Sequence, residues 1–259
     1  MTPILLLGAG RMGGAILAGW RRAAAFAPAD ILVREPSPGA LDLSGMRLNP
    51  PDEALAEART VILAVKPQVW RAVAAEVAPF LSPEAVVVSI AAGVSAADIA
   101  EAFGGLRVAR VMPTTAVAIG EGTASLHAAD PQARARAHAL FDPLGVVVEL
   151  ADEDQLHAAT ALSGSGPAYL YAFVEALEAA GVAAGLAPDV AADLARSTIA
   201  GAARLMRQSG EEPAELRRQV TSPGGTTEAA LKVLMAQDGL APLLEQAIAA
   251  ATARSRELG

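Results

Sequence analysis

Apolar residues follow two rhythms along this chain, and the change falls near residue 150. Before it, short continuous apolar runs alternate with stretches whose apolar positions recur at helical spacing. Ile4-Leu5-Leu6-Leu7, Ile31-Leu32-Val33, Thr60 to Val65, Ala85 to Ile90, Arg107 to Met112, Gly122 to Leu126 and Val146 to Glu149 read as strands, with a weak one near Met46-Arg47-Leu48. Near-continuous apolar strands alternating with helices predict a parallel sheet covered on both faces. From Asp152 onward the texture is alanine-rich and helical without a convincing strand, broken at Gly185-Leu186-Ala187-Pro188, Ser209-Gly210 and Asp238-Gly239. The expectation is a doubly wound α/β domain over residues 1–150 and an all-helical domain over 151–259. A helical segment that small has a marginal core of its own, so burial against the first domain or a second subunit is expected, and an obligate dimer with it.

Directly after the first strand stands Gly8-Ala9-Gly10-Arg11-Met12-Gly13, leading into the helical Gly14-Ala15-Ile16-Leu17-Ala18-Gly19-Trp20. In a strand, G-x-G-x-x-G, helix arrangement the first glycine makes the turn and the second lets a pyrophosphate approach the backbone. The third lets helix pack closely on strand. The second strand ends at Arg34-Glu35, at the distance expected for a residue that reads the ribose. These features predict a Rossmann-type fold binding NAD(H) or NADP(H). Ligands of such sheets bind beyond the carboxyl ends of the strands, so Lys66-Pro67, Ala91-Ala92-Gly93 and Met112-Pro113-Thr114-Thr115 should line one crevice.

A second motif, Thr221-Ser222-Pro223-Gly224-Gly225-Thr226-Thr227-Glu228, precedes apolar positions Leu231, Leu234 and Met235 at helical spacing. The first amides of that helix have no intrahelical partner, and with the helix dipole they favour an anion such as a carboxylate. As plain architecture the segment is a helix start after a Pro-Gly turn. Ser163-Gly164-Ser165-Gly166-Pro167 interrupts two helical runs, 152–162 and 168–180; it reads either as a kink or tight helix crossing, or as small residues cleared for a ligand. It is not a hydrolase elbow, since no strand precedes it and Ser163 stands where glycine is required.

Composition narrows the field. Twenty basic and 28 acidic residues give a net charge of −8, the wrong sign for a general nucleic-acid binder. With no cysteine there are no disulfides, thiolates or Cys-built zinc sites, and the three histidines, His127, His138 and His157, lack metal-ligand spacing. The chain runs into its first strand without a basic leader and holds no apolar run of membrane-spanning length, so a cytoplasmic location is expected.

Taken in order, Gly8 to Gly13, Ala64-Val65-Lys66-Pro67-Gln68, Ser89 to Val94, Val111-Met112-Pro113, Ala161 to Tyr169 and Val220 to Thr227 resemble the motif series of the pyrroline-5-carboxylate reductase family across nearly the whole chain. The resemblance implies reduction of a ring imine to proline by a reduced nicotinamide cofactor, in the final step of proline synthesis. It implies a dimer of intertwined C-terminal helices, in some members a decamer of five dimers. It also implies that Thr227 donates a hydrogen bond to the imine nitrogen, and that Ser222 with the amides of Gly224, Gly225 and Thr226 holds the carboxylate. The cofactor falls to Gly8, Gly10, Arg11, Met12 and Gly13, to Arg34, Glu35 and Ser37 after the second strand, to Ala64, Val65, Lys66 and Pro67, and to Ala91, Ala92, Gly93, Met112 and Pro113.

Two positions depart from the family pattern. Thr114 and Ala116 stand where many members have asparagine and proline, which alters contacts near the nicotinamide ribose. Glu35 stands where members using the phosphorylated cofactor often carry Asn-Arg or Ser-Arg; its carboxylate suits a free ribose diol, favouring NADH or dual use, while Arg34 pulls the other way if it turns toward the pocket. Lys66, between strand and proline, reads as a cofactor-side residue rather than an acid. The competing functions are a related cyclic imine reductase and a non-catalytic dinucleotide-binding sensor.

Overall fold

Residues 1–258 are described in a computed structural model of the chain. The predicted strands all form: β1 (Ile4–Leu7), β2 (Ile31–Arg34), β3 (Arg47–Leu48), β4 (Thr60–Leu63), β5 (Val86–Ser89), β6 (Arg107–Pro113), β7 (Gly122–His127) and β8 (Gly145–Glu149). They join one sheet in the order β3-β2-β1-β4-β5-β6-β7-β8. Pairing is parallel from β3 through β6; β7 runs antiparallel to β6, and β8 parallel to β7. The first six strands have the order of a dinucleotide-binding doubly wound sheet.

The two-residue period of a strand sorts the apolar runs onto opposite faces. Ile4, Leu6, Ile31, Val33, Ile62, Val86 and Val88 pack with Ile16, Leu17 and Trp20 of α1 (Arg11–Ala23) and with Leu140 and Phe141 of α4 (Pro131–Phe141). Leu5, Leu7, Leu32, Val61, Leu63 and Val87 pack with Trp70, Ala74 and Val77 of α2 (Trp70–Val77) and with Ile99 of α3 (Ala96–Ala102). Each such leucine, isoleucine or valine is fully enclosed and contributes about 1.5–3 kcal/mol of hydrophobic stabilisation. Trp20 uses its apolar rings in this core while its indole Nε1 donates to the Leu140 carbonyl at 2.8 Å, so the buried polar atom is satisfied.

The chain divides into two compact units, Met1–Gly164 together with the chain end from Ala250, and Ser165–Ala249. The first unit holds the sheet and α1 to α4, then α5 (Gln155–Ala159) and a π-helical turn, Thr160–Gly164. Ser163 and Gly164 therefore lie in a widened helical turn rather than in a break. Pro167 falls in the first turn of α6 (Gly166–Ala183), where its missing N–H leaves no bond unmade. The second unit consists of α6, α7 (Pro188–Ser209), α8 (Pro213–Gln219), α9 (Thr226–Leu234) and the start of α10 (Leu240–Glu257). Helices α6 and α7 pack on each other, with Gly181 close to Ala191 and Arg196 bound to Glu178 at 2.8 Å. Among the described residues of this unit only Ala191 and Ala195 are buried. No helix of the described chain is long and apolar enough to cross a membrane.

Candidate active site

The loops that follow β1, β2 and β4 enclose a cleft of about 590 Å³ in the first unit. Each glycine of the first loop has its own physical reason. Gly8 sits at φ +91°, and a methyl there would meet Val65 Cγ1 at 2.8 Å. A methyl at Gly13 would collide with the Gly8 carbonyl, so helix α1 rests directly on the turn it leaves. At Gly10 a methyl would meet nothing within 4 Å, and Gly10 caps α1 without a side-chain hydrogen bond among the described residues. An open approach, free first-turn amides and the positive end of a 13-residue helix fit a dinucleotide pyrophosphate.

Gly8, Gly10, Arg34, Glu35, Ala64, Val65 and Lys66 all line this cleft. Arg11 is exposed on the first turn of α1, Met12 is half-buried against the core, and Gly13 is buried. Ser37 is exposed and its amide donates to Glu35 Oε1 at 2.9 Å. Pro67, Ala91, Ala92, Gly93, Met112 and Pro113 stand at the same carboxyl edge of the sheet but outside the lining of the cleft, which gathers the ends of β1, β2 and β4 with Asn49 and one side of α2. Gly93 is at φ +80°, and the Met112 side chain lies in contact range of Gly164 in the π-helical turn. The hydroxyl of Thr114 is buried and accepts from the Thr123 amide of β7 at 3.1 Å, while the Thr114 amide donates to the Thr123 carbonyl at 2.9 Å. The departure at residue 114 is thus spent on the sheet.

Sequence reasoning missed three contributors around this cleft. Asn49, left-handed at φ 45°, lines it and fixes Glu35, accepting from the Glu35 amide at 3.0 Å and donating to its carbonyl at 2.9 Å. Glu76 projects from α2 into the lining, and Asp52 binds the Arg34 guanidinium. Asn49 had a local signal, because asparagine tolerates the left-handed region better than other side chains.

On the other side of β6, Arg110 is buried and binds Glu153 Oε1 at 2.7 Å. The same oxygen accepts from the Ala96 amide at 2.7 Å, tying β6 and the start of α3 to the segment before α5. Burial works against the Glu153 charge, but the hydrogen bonds from Arg110 and the Ala96 amide outweigh it and hold its carboxyl below the ordinary value.

In the second unit, α9 opens at Thr226-Thr227 after the turn at Gly224, whose φ is +72°. The Gly225 amide closes that turn onto the Ser222 carbonyl at 3.0 Å, and the Gly224 amide is held by Glu228 Oε2 at 2.6 Å. Two of the amides assigned to a substrate carboxylate are therefore satisfied within the chain. The reason is local: a glutamate three residues past the cap reaches back over the first turn. The signal was present in Gly225-Thr226-Thr227-Glu228. The first-turn amides of Thr226 and Thr227 have no intrahelical acceptor, and no side chain caps the helix at Gly225 among the described residues. Ser222 and Thr226 are exposed and Thr227 is half-buried.

A parallel sheet in this order, a glycine cradle at the head of α1 and a carboxylate at the end of β2 define a dinucleotide-binding oxidoreductase fold followed by a helical domain. Residues 153–258 match the family model described as pyrroline-5-carboxylate reductase dimerisation, and residues 3–93 match one described as NADP oxidoreductase, coenzyme F420-dependent. The pyrroline-5-carboxylate reductase of Pseudomonas aeruginosa is 41% identical over 99% of this chain and 97% of its own length, and that of Synechocystis 38% identical over 98% and 97%. Among solved structures, the reductase from Coxiella burnetii superposes with a TM-score of 0.89 at 34% identity, covering 100% of this chain and 98% of that one. The Plasmodium falciparum enzyme, with NADP bound, gives 0.85 at 27% identity over 100% and 98%. The chain belongs to the pyrroline-5-carboxylate reductase family.

Proposed function

We propose that this chain reduces the C=N bond of pyrroline-5-carboxylate to give L-proline, using NADH or NADPH, in the last step of proline synthesis. The observation that carries the reading is the hydroxyl-bearing, uncapped start of α9 at Thr226-Thr227, in a chain whose first helix begins at an open glycine cradle. When bound, the dinucleotide supplies the hydride. Gly8, Gly10, Arg11, Met12 and Gly13 hold its pyrophosphate at the head of α1, and Arg34, Glu35 and Ser37 face its adenosine ribose. Ala64, Val65, Lys66, Pro67, Ala91, Ala92, Gly93, Met112 and Pro113 flank the remainder.

The ring nitrogen gains electron density as the imine carbon is reduced, and it must be hydrogen-bonded or protonated at that moment. The Thr227 hydroxyl donates that hydrogen bond. It is too weak an acid to supply the proton alone, so it orients the ring and relays a proton from water. The Thr226 amide and Ser222 hold the substrate carboxylate, fixing the distance over which hydride moves. Gly225 shapes the turn rather than donating, because its amide is committed to Ser222. The Gly224 amide joins the grip when Glu228 releases it, one carboxylate replacing another.

We assign cofactor binding to residues 1–150 and substrate binding with dimerisation to 151–259. A cytoplasmic homodimer completes the proposal, with light scattering distinguishing it from a decamer of five dimers. The test of the reaction is the loss of reduced-nicotinamide absorbance on adding pyrroline-5-carboxylate with each cofactor in turn. Rapid loss is the expected result; tight cofactor binding without turnover would replace the reductase by a sensor.

A further inference from the structure

The end of β2 does more than present a carboxylate. The amide and carbonyl of Glu35 are both held by the Asn49 side chain, while the Asn49 amide donates to the Val33 carbonyl at 2.8 Å. Thus pinned, Glu35 turns its side chain back over the glycine loop: Oε2 accepts from the Ala9 amide at 2.8 Å, and Oε1 from the Ser37 amide at 2.9 Å. A carboxylate has about four acceptor positions, so these two bonds leave room for two hydroxyl donors. Arg34, the neighbouring cation, is bound by Asp52, and its Nη1 lies 3.9 Å from Glu76 Oε1. The Arg34 side chain is 22% exposed, and its Nε is buried without a partner among the described residues. Lys66 also lines the cleft, but it follows β4, on the opposite side of β1 from β2.

We infer that this chain reads the adenosine ribose of its cofactor as an unphosphorylated diol: Glu35 accepts the ribose hydroxyls, and Asp52 withholds Arg34 from a 2′-phosphate. The inference rests on the dinucleotide-binding part of the proposed function and deepens it. A 2′-phosphate placed at this corner meets the Glu35 carboxylate directly, with Glu76 nearby, and like charges brought together in a cleft discriminate strongly against the wrong ligand. The guanidinium that would otherwise pair with it is already engaged, its Nη2 by Asp52 Oδ1 and its Nη1 facing Glu76. Asp52 thereby becomes a specificity residue, although it is absent from the cleft lining.

The test is calorimetric titration of the full-length protein with NADH, NADPH, 5′-AMP and adenosine 2′,5′-bisphosphate, without any imine substrate. NADH is expected to bind at least ~10-fold more tightly than NADPH, about 1.4 kcal/mol, and 5′-AMP more tightly than the bisphosphate. Glu35→Ser should reduce that ratio at least ~10-fold. Asp52→Asn, which leaves Glu35 in place and lies half-exposed, should tighten NADPH a few-fold with NADH unchanged. Equal or tighter binding of NADPH by the parent protein, or a ratio unmoved by both substitutions, overturns the inference. Binding of neither dinucleotide overturns it together with the dinucleotide reading. A protein that binds NADH selectively but fails to reduce pyrroline-5-carboxylate supports the inference and sinks the reductase reading alone.

Discussion

The sheet unit and the helical unit solve the problem of apolar surface in opposite ways. Strands β1, β2, β4 and β5 bury almost every side chain between α1 and α4 on one face and α2 and α3 on the other. Helices α6, α7, α9 and the start of α10 carry apolar side chains and bury almost none of them: Leu205 is 56% exposed, Leu243 61% and Val233 72%. Helix α6 is apolar around most of its circumference, a pattern that belongs to a helix enclosed on all sides. The difference teaches that one unit encloses its apolar side chains within a single chain while the other leaves them exposed. The match of residues 153–258 to a dimerisation family agrees with that.

The sharpest way to break this comparison is to place a charge on the exposed face. Leu205→Asp and Leu243→Asp are each expected to weaken self-association at least ~1,000-fold, since an uncompensated charge is driven into an apolar contact. Sedimentation analysis reads the change as monomer; an unaltered dimer in both variants means the interface lies elsewhere. Next in size, Leu63→Ala in the sheet should cost about 2–5 kcal/mol whatever the protein concentration. Leu205→Ala, in contrast, should lower the melting temperature by an amount that shrinks as concentration rises. Thermal melts over a hundredfold concentration range separate the two behaviours. Thr227→Ala, in the helical unit, is expected to reduce turnover by roughly one to three orders of magnitude with cofactor affinity in the sheet unit unchanged. Steady-state kinetics at wild-type rate would remove the threonine from the mechanism.

Smaller effects concern pH, and both belong to the sheet unit. The Glu153 carboxyl is held below its ordinary 4.5, so its interaction with Arg110 and the Ala96 amide adds stability above that value. This stability is lost as pH falls through the lowered folded value. Glu153→Gln should therefore destabilise at neutral pH, the gap closing in denaturant titrations below pH about 4.5. His138 has the opposite sign. Its ring bonds Asp142 at 3.0 Å and Glu149 at 2.8 Å, and the Asp142 bond in particular, opposed by partial burial, raises its pKa above 6.5. Its contribution is complete below 6.5 and disappears as pH rises through the folded value. The effect is the smallest here because the cluster is largely exposed and screened by salt. His138→Gln should flatten the stability profile only in that upper window.

How much of this was legible in the sequence follows from the range over which each feature is determined. Strands β1, β2, β4 and β5 could be read because a continuous apolar run has little choice but to be buried, whereas the two-residue β3 and the largely exposed β8 lack that reason. The role of Gly13 was readable from spacing alone, since it packs on the Gly8 carbonyl within one β-turn-α unit; the turn at Gly8 was readable too, but not the Val65 side chain after β4 that closes against it. The π-helical turn at Thr160–Gly164 was not, because helical periodicity cannot distinguish a widened turn from a kink. The Asn49 clamp and the Asp52 partner of Arg34 were hidden for another reason: they reach Arg34 and Glu35 from 14 to 18 residues away, through a strand of only two residues. At α9 the glutamate was visible, but its choice of the Gly224 amide depended on the turn at Ser222 closing first.

The strand order has a consequence for how this protein is made. The strand β1, synthesised before its partners, is flanked in the finished sheet by β2 and β4. Four consecutive oily residues must therefore wait until some sixty amino acids have been polymerised before both their edges are covered. Such delayed, non-local pairing is slow, and a nascent chain carrying it is vulnerable to clumping. Synthesis speed between β1 and β4 and the presence of a chaperone should therefore influence the soluble yield of this chain.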